Sequence, residues 1–343
     1  MRKSDGMAQA EESNGVTERE ASAGQEADFV FVVIPRFSMM AFASAIEPLR
    51  IANRLSGREL YRWQVVSVLG GPIRASNGVL MMTDQSLADV AIRPGRRAPT
   101  VVVCSGLGAE HVRDPQLFAW LRRADRTGAP IGALCTGAYL LARAGLLDGH
   151  RCTIHWENLP AFREDFPEIP VQADLFEVDR NRLTCSGGTA ALDMMLHLIA
   201  TEHGQELATK VSEQCIVDRI RSSFDHQRMP YRVRHGIHHP KLISAIELME
   251  ANVEEPLDQD TLAGYVGLSR RQLERLFSKH LGRTPAQYYL ELRLERARHL
   301  LYQTTMPIMD VAFACGFVSA SHFSTCYRQM YGKTPRTERA SIG

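Results

Sequence analysis

This 343-residue chain lacks several features, and each absence removes a class of protein. Its seven cysteines form no C-x-x-C pair and sit mostly in apolar runs. That excludes a zinc finger and a disulfide scaffold, and it points to reduced thiols in a cytosol. No apolar run approaches the ~18 residues of a membrane span, so no membrane association is expected. Met1–Lys3 is basic but no apolar segment follows it, so a secretory signal is not expected and the expected location is cytoplasmic. Strong charge of one sign is also missing: 40 Lys/Arg stand against 39 Asp/Glu, a formal net charge of +1. The pair His238-His239 has no third ligand at suitable spacing, so no metal is expected, and no cofactor.

What is present fits two domains. The length is too great for one typical domain, and 45% of the residues are hydrophobic, enough for two sizeable cores. Charge is unevenly shared. Residues 231–343 hold 15 Lys/Arg and 11 Asp/Glu, whereas the rest hold 25 and 28. The C-terminal part therefore suits a polyanion mildly better. Residues 1–27 are rich in Ala, Glu, Ser and Gly and read as a disordered tail. Polar residues 223–239 read as a linker between a domain over 28–222 and another over 240–339.

The first domain alternates strand and helix signals. Phe29–Ile34 and Thr100–Cys104 are continuous apolar runs, as in strands buried on both faces. Trp63–Leu69, Pro130–Leu134 and the short Leu183–Cys185 read as further strands. Helical patterns cover Met39–Leu55, Asp114–Arg126, Thr136–Ala144, Gly188 to about Glu202, and Gln205 to about Arg221. This alternation implies a mainly parallel sheet covered by helices. Its chemically loaded spot is Gly132-Ala133-Leu134-Cys135-Thr136-Gly137-Ala138, where a buried strand ends on a cysteine and a helix starts at once. A helix N-terminus favours a thiolate, so Cys135 is expected to have a lowered pKa. The same pattern also fits a small thiol buried at a strand end.

The second domain repeats itself. Thr261–Ala286 (TLAGYVGLSRRQLERLFSKHLGRTPA) returns as Ile308–Arg336 (IMDVAFACGFVSASHFSTCYRQMYGKTPR). Ser269 aligns with Ser319, Leu273 with Phe323, Phe277 with Tyr327, Gly282 with Gly332 and Pro285 with Pro335. Each copy reads as a helix-turn-helix unit. A small residue (Ala263, Ala312) lets the helices cross closely, and a turn glycine (Gly267, Gly316) takes positive φ. A serine then caps the second helix. Arg270, Arg271, Gln272, Glu274 and Arg275 lie opposite the apolar stripe of the first unit. Arg suits guanine edges and phosphates, Gln suits adenine, and Glu274 suits a cytosine amino group. Two ordinary helical hairpins with solvated faces are the plainer reading of the same residues.

Residues 240 to 337 resemble the tandem helix-turn-helix domain of AraC/XylS transcription regulators, most specifically over GFVSASHFSTCYRQMYGKTP. The resemblance implies base-reading positions at Arg271, Gln272, Glu274 and Arg275 in the first unit. In the second it implies Ala320, Ser321, His322, Ser324 and Thr325. Residues 28–222 resemble the DJ-1/PfpI fold, on IGALCTGAYLLARAGLLDGHRCTIHWE and CSGGTAALDMMLHLIATEHG. Joined, the two parts are similar to the GlxA family of AraC-type regulators.

The resemblance implies a flavodoxin-like α/β domain followed by an all-α DNA-binding domain. It also assigns Cys135 to the elbow cysteine, Glu47 to the acid approaching it from the first helix, and His155 to a histidine of the regulator branch. Enzymes of the PfpI type usually have His directly after the cysteine; here Thr136 stands there, which leaves a polar pocket for a small molecule. FSMMAFASAIEPLRIANRLSG is similar to the branch that governs use of glycine betaine, carnitine, sarcosine or arginine. Glu47 then suits a cationic head group, with Trp63 or Trp156 as an aromatic face; either tryptophan also fits an ordinary core.

The expectation is a homodimeric transcription regulator, an activator working with RNA polymerase on a double-stranded DNA operator. Its effector is an amine or amino-acid derivative held near Glu47, Cys135, Thr136 and His155. It is not expected to be an enzyme. The alternative is a cysteine-dependent hydrolase or glyoxalase-like enzyme with an appended DNA-binding domain.

Overall fold

The computed structural model describes residues 28–91, 98–229 and 231–340, the side chains of 234 and 235 excepted. The tail expected over 1–27 lies outside the described residues.

The main sheet has seven strands: β1 (Phe29–Val33), β2 (Trp63–Ser67), β3 (Gln85–Ser86), β4 (Thr100–Cys104), β5 (Ile131–Leu134), β6 (Phe176–Asp179) and β7 (Arg182–Cys185). Their spatial order is β6-β7-β5-β4-β1-β2-β3. Every neighbouring pair is parallel except β6 with β7. All five residues of β1 are buried, because helices cover both faces. Alternation along the strand sorts them. Phe29, Phe31 and Val33 pack toward α1 (Met39–Ser56) and α5 (Ala190–His203). Val30 and Val32 pack toward α2 (Pro115–Arg126) and α3 (Ala138–Arg143). Asp114 caps α2 by accepting from the backbone N–H groups of Gln116 and Leu117.

Two strands escape a periodicity reading. β3 is two residues long, and β6 is an edge strand whose FEVD pattern is half polar. The helix expected to reach Arg221 instead ends at Gln214, as α6 (Gln205–Gln214). The chain turns back through Ile216, at φ 55°. Buried Asp193 on α5 accounts for the turn: it accepts from the Arg221 backbone N–H at 2.8 Å and pairs with its guanidinium at 2.6 Å. A buried carboxylate needs such a partner.

The segment 223–239 is not a free spacer. Asp174 and His226 form a β-bridge, and the Gln227 amide donates to Thr153 Oγ1, Ile154 O and Asp174 O. A short helix, α7 (Tyr231–His235), follows, and Ile237 is buried in the next domain.

That domain is helical: α8 (Pro240–Ala251), α9 (Gln259–Tyr265), α10 (Arg270–Leu281), α11 (Pro285–Gln303), α12 (Ile308–Ala314), α13 (Ala320–Tyr331) and α14 (Pro335–Ala340). It has two cores. Leu242, Ile246, Leu262, Leu273 and Phe277 build the first, and Leu294, Leu300, Val311, Phe317, Phe323 and Tyr327 build the second. The long α11 contributes to both. The α/β domain touches the second core through α4 (Leu159–Asp165): Ala161 is buried within it, and Glu164 pairs with Arg296 of α11 at 3.5 Å. Among the described residues no helix is long and apolar enough to cross a membrane.

Candidate functional site

Each helix-turn-helix unit is fixed by local chemistry. Gly267 and Gly316 sit in the turns at φ 61° and 73°, where other residues are strained. They are not equivalent. A Cβ on Gly316 would lie 2.6 Å from Val253 O and from the Pro256 ring, whereas one on Gly267 meets only the Lys241 amine at 3.5 Å. Ser269 accepts from Gln272 N and Ser319 from His322 N, so both serines cap the helices that follow. Arg293, from α11, clamps the second turn: it donates to Cys315 O at 2.8 Å and Gly316 O at 2.7 Å, and lies 4.1 Å over the Phe317 ring. The repeat alignment gave no hint of Arg293, since it lies outside both copies.

The expected base-reading side chains of the first unit divide in two. Arg271 and Arg275 are exposed and form no ion pair or hydrogen bond with any described residue. Gln272 is committed locally, its Oε1 accepting from Ser269 N at 2.8 Å and Ser269 Oγ at 3.0 Å in a capping box. A bidentate bond to adenine requires that oxygen, so Gln272 as it stands is a helix-start latch. Glu274 accepts from Arg270 at 3.1 Å, and Arg270 also faces Asp260 at 3.8 Å. In the second unit Ser321, His322 and Thr325 are exposed while Ala320 and Ser324 are half-buried. The His322 ring sits 3.3 Å from Cys326 Sγ.

In the α/β domain the elbow has the expected shape. Cys135 follows β5 at φ 60°, a left-handed conformation rare outside glycine, and α3 begins three residues later. Gly187 makes room for it: at φ 91°, a Cβ there would be 2.7 Å from the Cys135 Cβ and 3.1 Å from its Sγ. The expected lowered pKa is not found. Burial pushes the Cys135 thiol up to about 11, with Glu157 adding to the shift and the Thr136 N–H opposing it. Removal from water outweighs the short helix's dipole.

Of the four expected ligand-binding residues, Cys135, Thr136 and His155 lie together, while among the described residues no hydrogen bond or ion pair joins Glu47 to them. Cys135 and His155 are adjacent, the His155 backbone N–H reaching Cys135 O at 3.4 Å. Their side chains share no hydrogen bond among the described residues. Thr136 is buried, its hydroxyl donating to Gly106 O at 2.5 Å. Glu47 is half-exposed and bound to Arg50 at 2.6 Å, and its charge acts on Cys215. The carboxylate acting on Cys135 is instead that of Glu157. It lies 3.9 Å from the His155 ring, which burial holds below its ordinary pKa and Glu157 partly restores.

Trp63 lies within β2, half-buried against the core. Trp156 is half-buried beside His155, ring centres 5.6 Å apart, and carries the Arg228 guanidinium 4.4 Å over its face. Arg228 also faces Glu250 of α8 at 3.6 Å. Sequence reading missed Glu157 and Arg228; the only signal was that Glu157 directly follows the His155-Trp156 pair. Among the described residues no group of three or more His, Cys, Asp or Glu is arranged to hold a metal.

Comparison with known proteins agrees with this architecture. Residues 31–201 match the DJ-1/PfpI family, and 262–341 match a helix-turn-helix domain. The chain is 50% identical over 309 residues to the HTH-type transcriptional regulator GbdR of Pseudomonas aeruginosa, covering 90% of this chain and 83% of that one. It is 38% identical over 314 residues to the HTH-type transcriptional regulator GlxA of Rhizobium meliloti, covering 91% and 95%. A crystal structure of an AraC family transcriptional regulator from Pseudomonas putida aligns with 55% of this chain and 100% of its own, at 28% identity and a TM-score of 0.50.

Proposed function

The chain belongs to the GlxA family of AraC-type, DNA-binding transcription regulators, and from that premise we propose how it works. A small nitrogenous metabolite of the betaine, carnitine or arginine type enters, by its cationic head group, the corner formed by Cys135, His155, Trp156 and Glu157. The observation that carries this reading is the Arg228 guanidinium over Trp156. An aromatic face that already holds a cation is suited to a ligand cation. Glu157 supplies the negative charge that the sequence reading gave to Glu47.

Displacement of Arg228 loosens its pairing with Glu250 and so changes how the DNA-binding domain is held. A ligand moves such an equilibrium only through its preference for one arrangement, and competition with Arg228 provides that preference. Arg271 and Arg275 read bases, and exposed residues of the second unit adjust to the backbone. Two copies of the chain act on one operator, as an activator that engages RNA polymerase, and the two units of each copy lie about one helical turn of DNA apart, ~34 Å.

The α/β domain is not catalytic on this reading. A thiol pushed up to about 11 is protonated at neutral pH, and Thr136 and His155 offer it no base through a hydrogen bond. The test is a footprint of the full chain on its operator with and without glycine betaine, carnitine or arginine. A shifted footprint with one of them is expected; an unchanged footprint with all three overturns the effector reading.

A further inference from the structure

A polar cavity, sharing no residue with the Cys135–Trp156 corner, lies where the two domains meet. It has a volume of about 210 Å³, far more than one water needs. Its α/β wall carries two acids, Glu110 and Asp165, and two bases, Arg113 and Arg143. Its other wall is the end of α11 and the start of the connection to the second helix-turn-helix unit, at Gln303, Thr304 and Thr305.

The charges on the α/β wall are not paired across sign. Arg143 donates to the carbonyls of Ala109 and Glu110, at 3.0 and 2.5 Å. Arg113 donates to the carbonyls of Glu110 and Val112, at 2.9 and 3.1 Å. Among the described residues neither guanidinium comes within ion-pair distance of either carboxylate. Glu110 is only 9% exposed, and its carboxylate faces its own backbone N–H and the His111 ring, the latter at 3.7 Å. Asp165 has no ion pair or hydrogen bond with a described residue. Partial removal from water raises the pKa of both acids and lowers that of Arg143, while Asp165 and Arg113 remain exposed to solvent. On the opposite wall the Gln303 side-chain oxygen is buried without a hydrogen-bond partner. For the buried Glu110 carboxylate and Gln303 oxygen this state is costly, and a molecule that completes their bonds binds against that cost.

Two charges of each sign around one cavity call for a ligand that carries both. We propose that this cavity is a separate effector site for a neutral α-amino acid. Its carboxylate sits on Arg113 and Arg143, and its ammonium on Glu110 and Asp165. Because Gln303, Thr304 and Thr305 line one side of the cavity, occupancy fastens the α/β domain to the helix between the two DNA-reading units. This goes beyond the cationic effector, and either site can exist without the other.

The test uses the full chain and calorimetry with the neutral L-amino acids, each alone, and with acetate and ethylamine as half-ligands. At least one amino acid is expected to bind once per chain at concentrations where neither half-ligand does. Arg113→Gln and the isosteric Asp165→Asn are each expected to weaken it about tenfold or more, the loss of one charge-assisted bond. Exposed Thr305→Trp blocks the cavity from the other side and is expected to give the same loss with both carboxylates intact. Trp156→Leu is expected to leave this binding unchanged. The site is refuted if no neutral amino acid binds at millimolar concentration, or if binding survives all three cavity substitutions. Bound amino acid is also expected to slow tryptic cleavage in 215–239; binding with unaltered cleavage overturns the fastening role.

Discussion

The Arg228 guanidinium lies 4.4 Å over the ring of Trp156 and 3.6 Å from the carboxylate of Glu250. Trp156 belongs to the α/β domain and Glu250 to α8, so one side chain joins the α/β domain to the DNA-binding domain. The residue next to it is anchored, because the Gln227 side-chain amide nitrogen lies within 3.1 Å of three oxygens of the α/β domain. Arg228 therefore moves as a side chain on a fixed post.

Arg228→Gln removes the internal competitor for the Trp156 face. A cation–π contact of this exposure is worth about 1 kcal/mol, so the effector is expected to bind roughly fivefold tighter. The same variant loses the link to Glu250, so its operator footprint is expected to respond less to effector. Calorimetry and footprinting on one preparation separate the two effects. Tighter binding with a full footprint response would remove Arg228 from the coupling path.

In the first reading helix, Arg271→Ala and Arg275→Ala are each expected to weaken operator binding by about 1–3 kcal/mol, with relaxed sequence preference. Gln272→Ala is expected to act differently. It breaks the capping box with Ser269, so it lowers thermal stability by about 1 kcal/mol while sequence preference is kept. Mobility shifts at fixed salt, paired with thermal denaturation, distinguish these outcomes. A change of preferred base in Gln272→Ala would place that side chain in the groove after all.

The two turn glycines give a stability prediction. Both have positive φ, so alanine at either is expected to cost about 1–2 kcal/mol. Gly316→Ala must also displace Val253 O or the Pro256 ring, so it is expected to cost clearly more than Gly267→Ala. Equal melting temperatures for the two variants would contradict this packing.

Cys135 is expected to alkylate slowly at neutral pH, with a rate that rises toward a midpoint near pH 11. The folded thiol holds its proton more tightly than an ordinary one of 9.0, so its contribution to stability is complete below pH 9 and is lost between about 9 and 11. Cys135→Ser is expected to abolish that reactive site and to leave operator binding intact. Rapid alkylation at pH 7, or turnover of an amide or α-oxoaldehyde lost in Cys135→Ser, would restore the enzyme reading.

The sequence made the layout legible and left the corner largely hidden. Apolar runs such as FVFVV, the repeated glycine and serine of each unit, and the strand-cysteine-helix junction are local signals, and local chemistry fixes them. Asp193 drawing in Arg221 is not local: it ends α6 seven residues early through a contact 28 positions away. Glu47 and Thr136 are engaged by other partners, the first locally and the second across the fold. Nearby Arg50 pairs with the first, and Gly106, 30 positions off, accepts from the second. The thiol's raised pKa depends on burial, which no motif spells out. Arg228 lies in a stretch whose polarity reads as linker, yet tertiary contacts give it two partners.

The central claim is that a cationic metabolite binds on Trp156 and there competes with Arg228. Calorimetry of glycine betaine, carnitine and arginine against the wild-type chain and Trp156→Leu tests it most directly. Binding of at least one of them to wild type, with a loss of about tenfold or more in Trp156→Leu, is the predicted result, since cation–π and packing contacts vanish together. Equal affinity in both proteins, or no binding of any of the three to wild type, would contradict it.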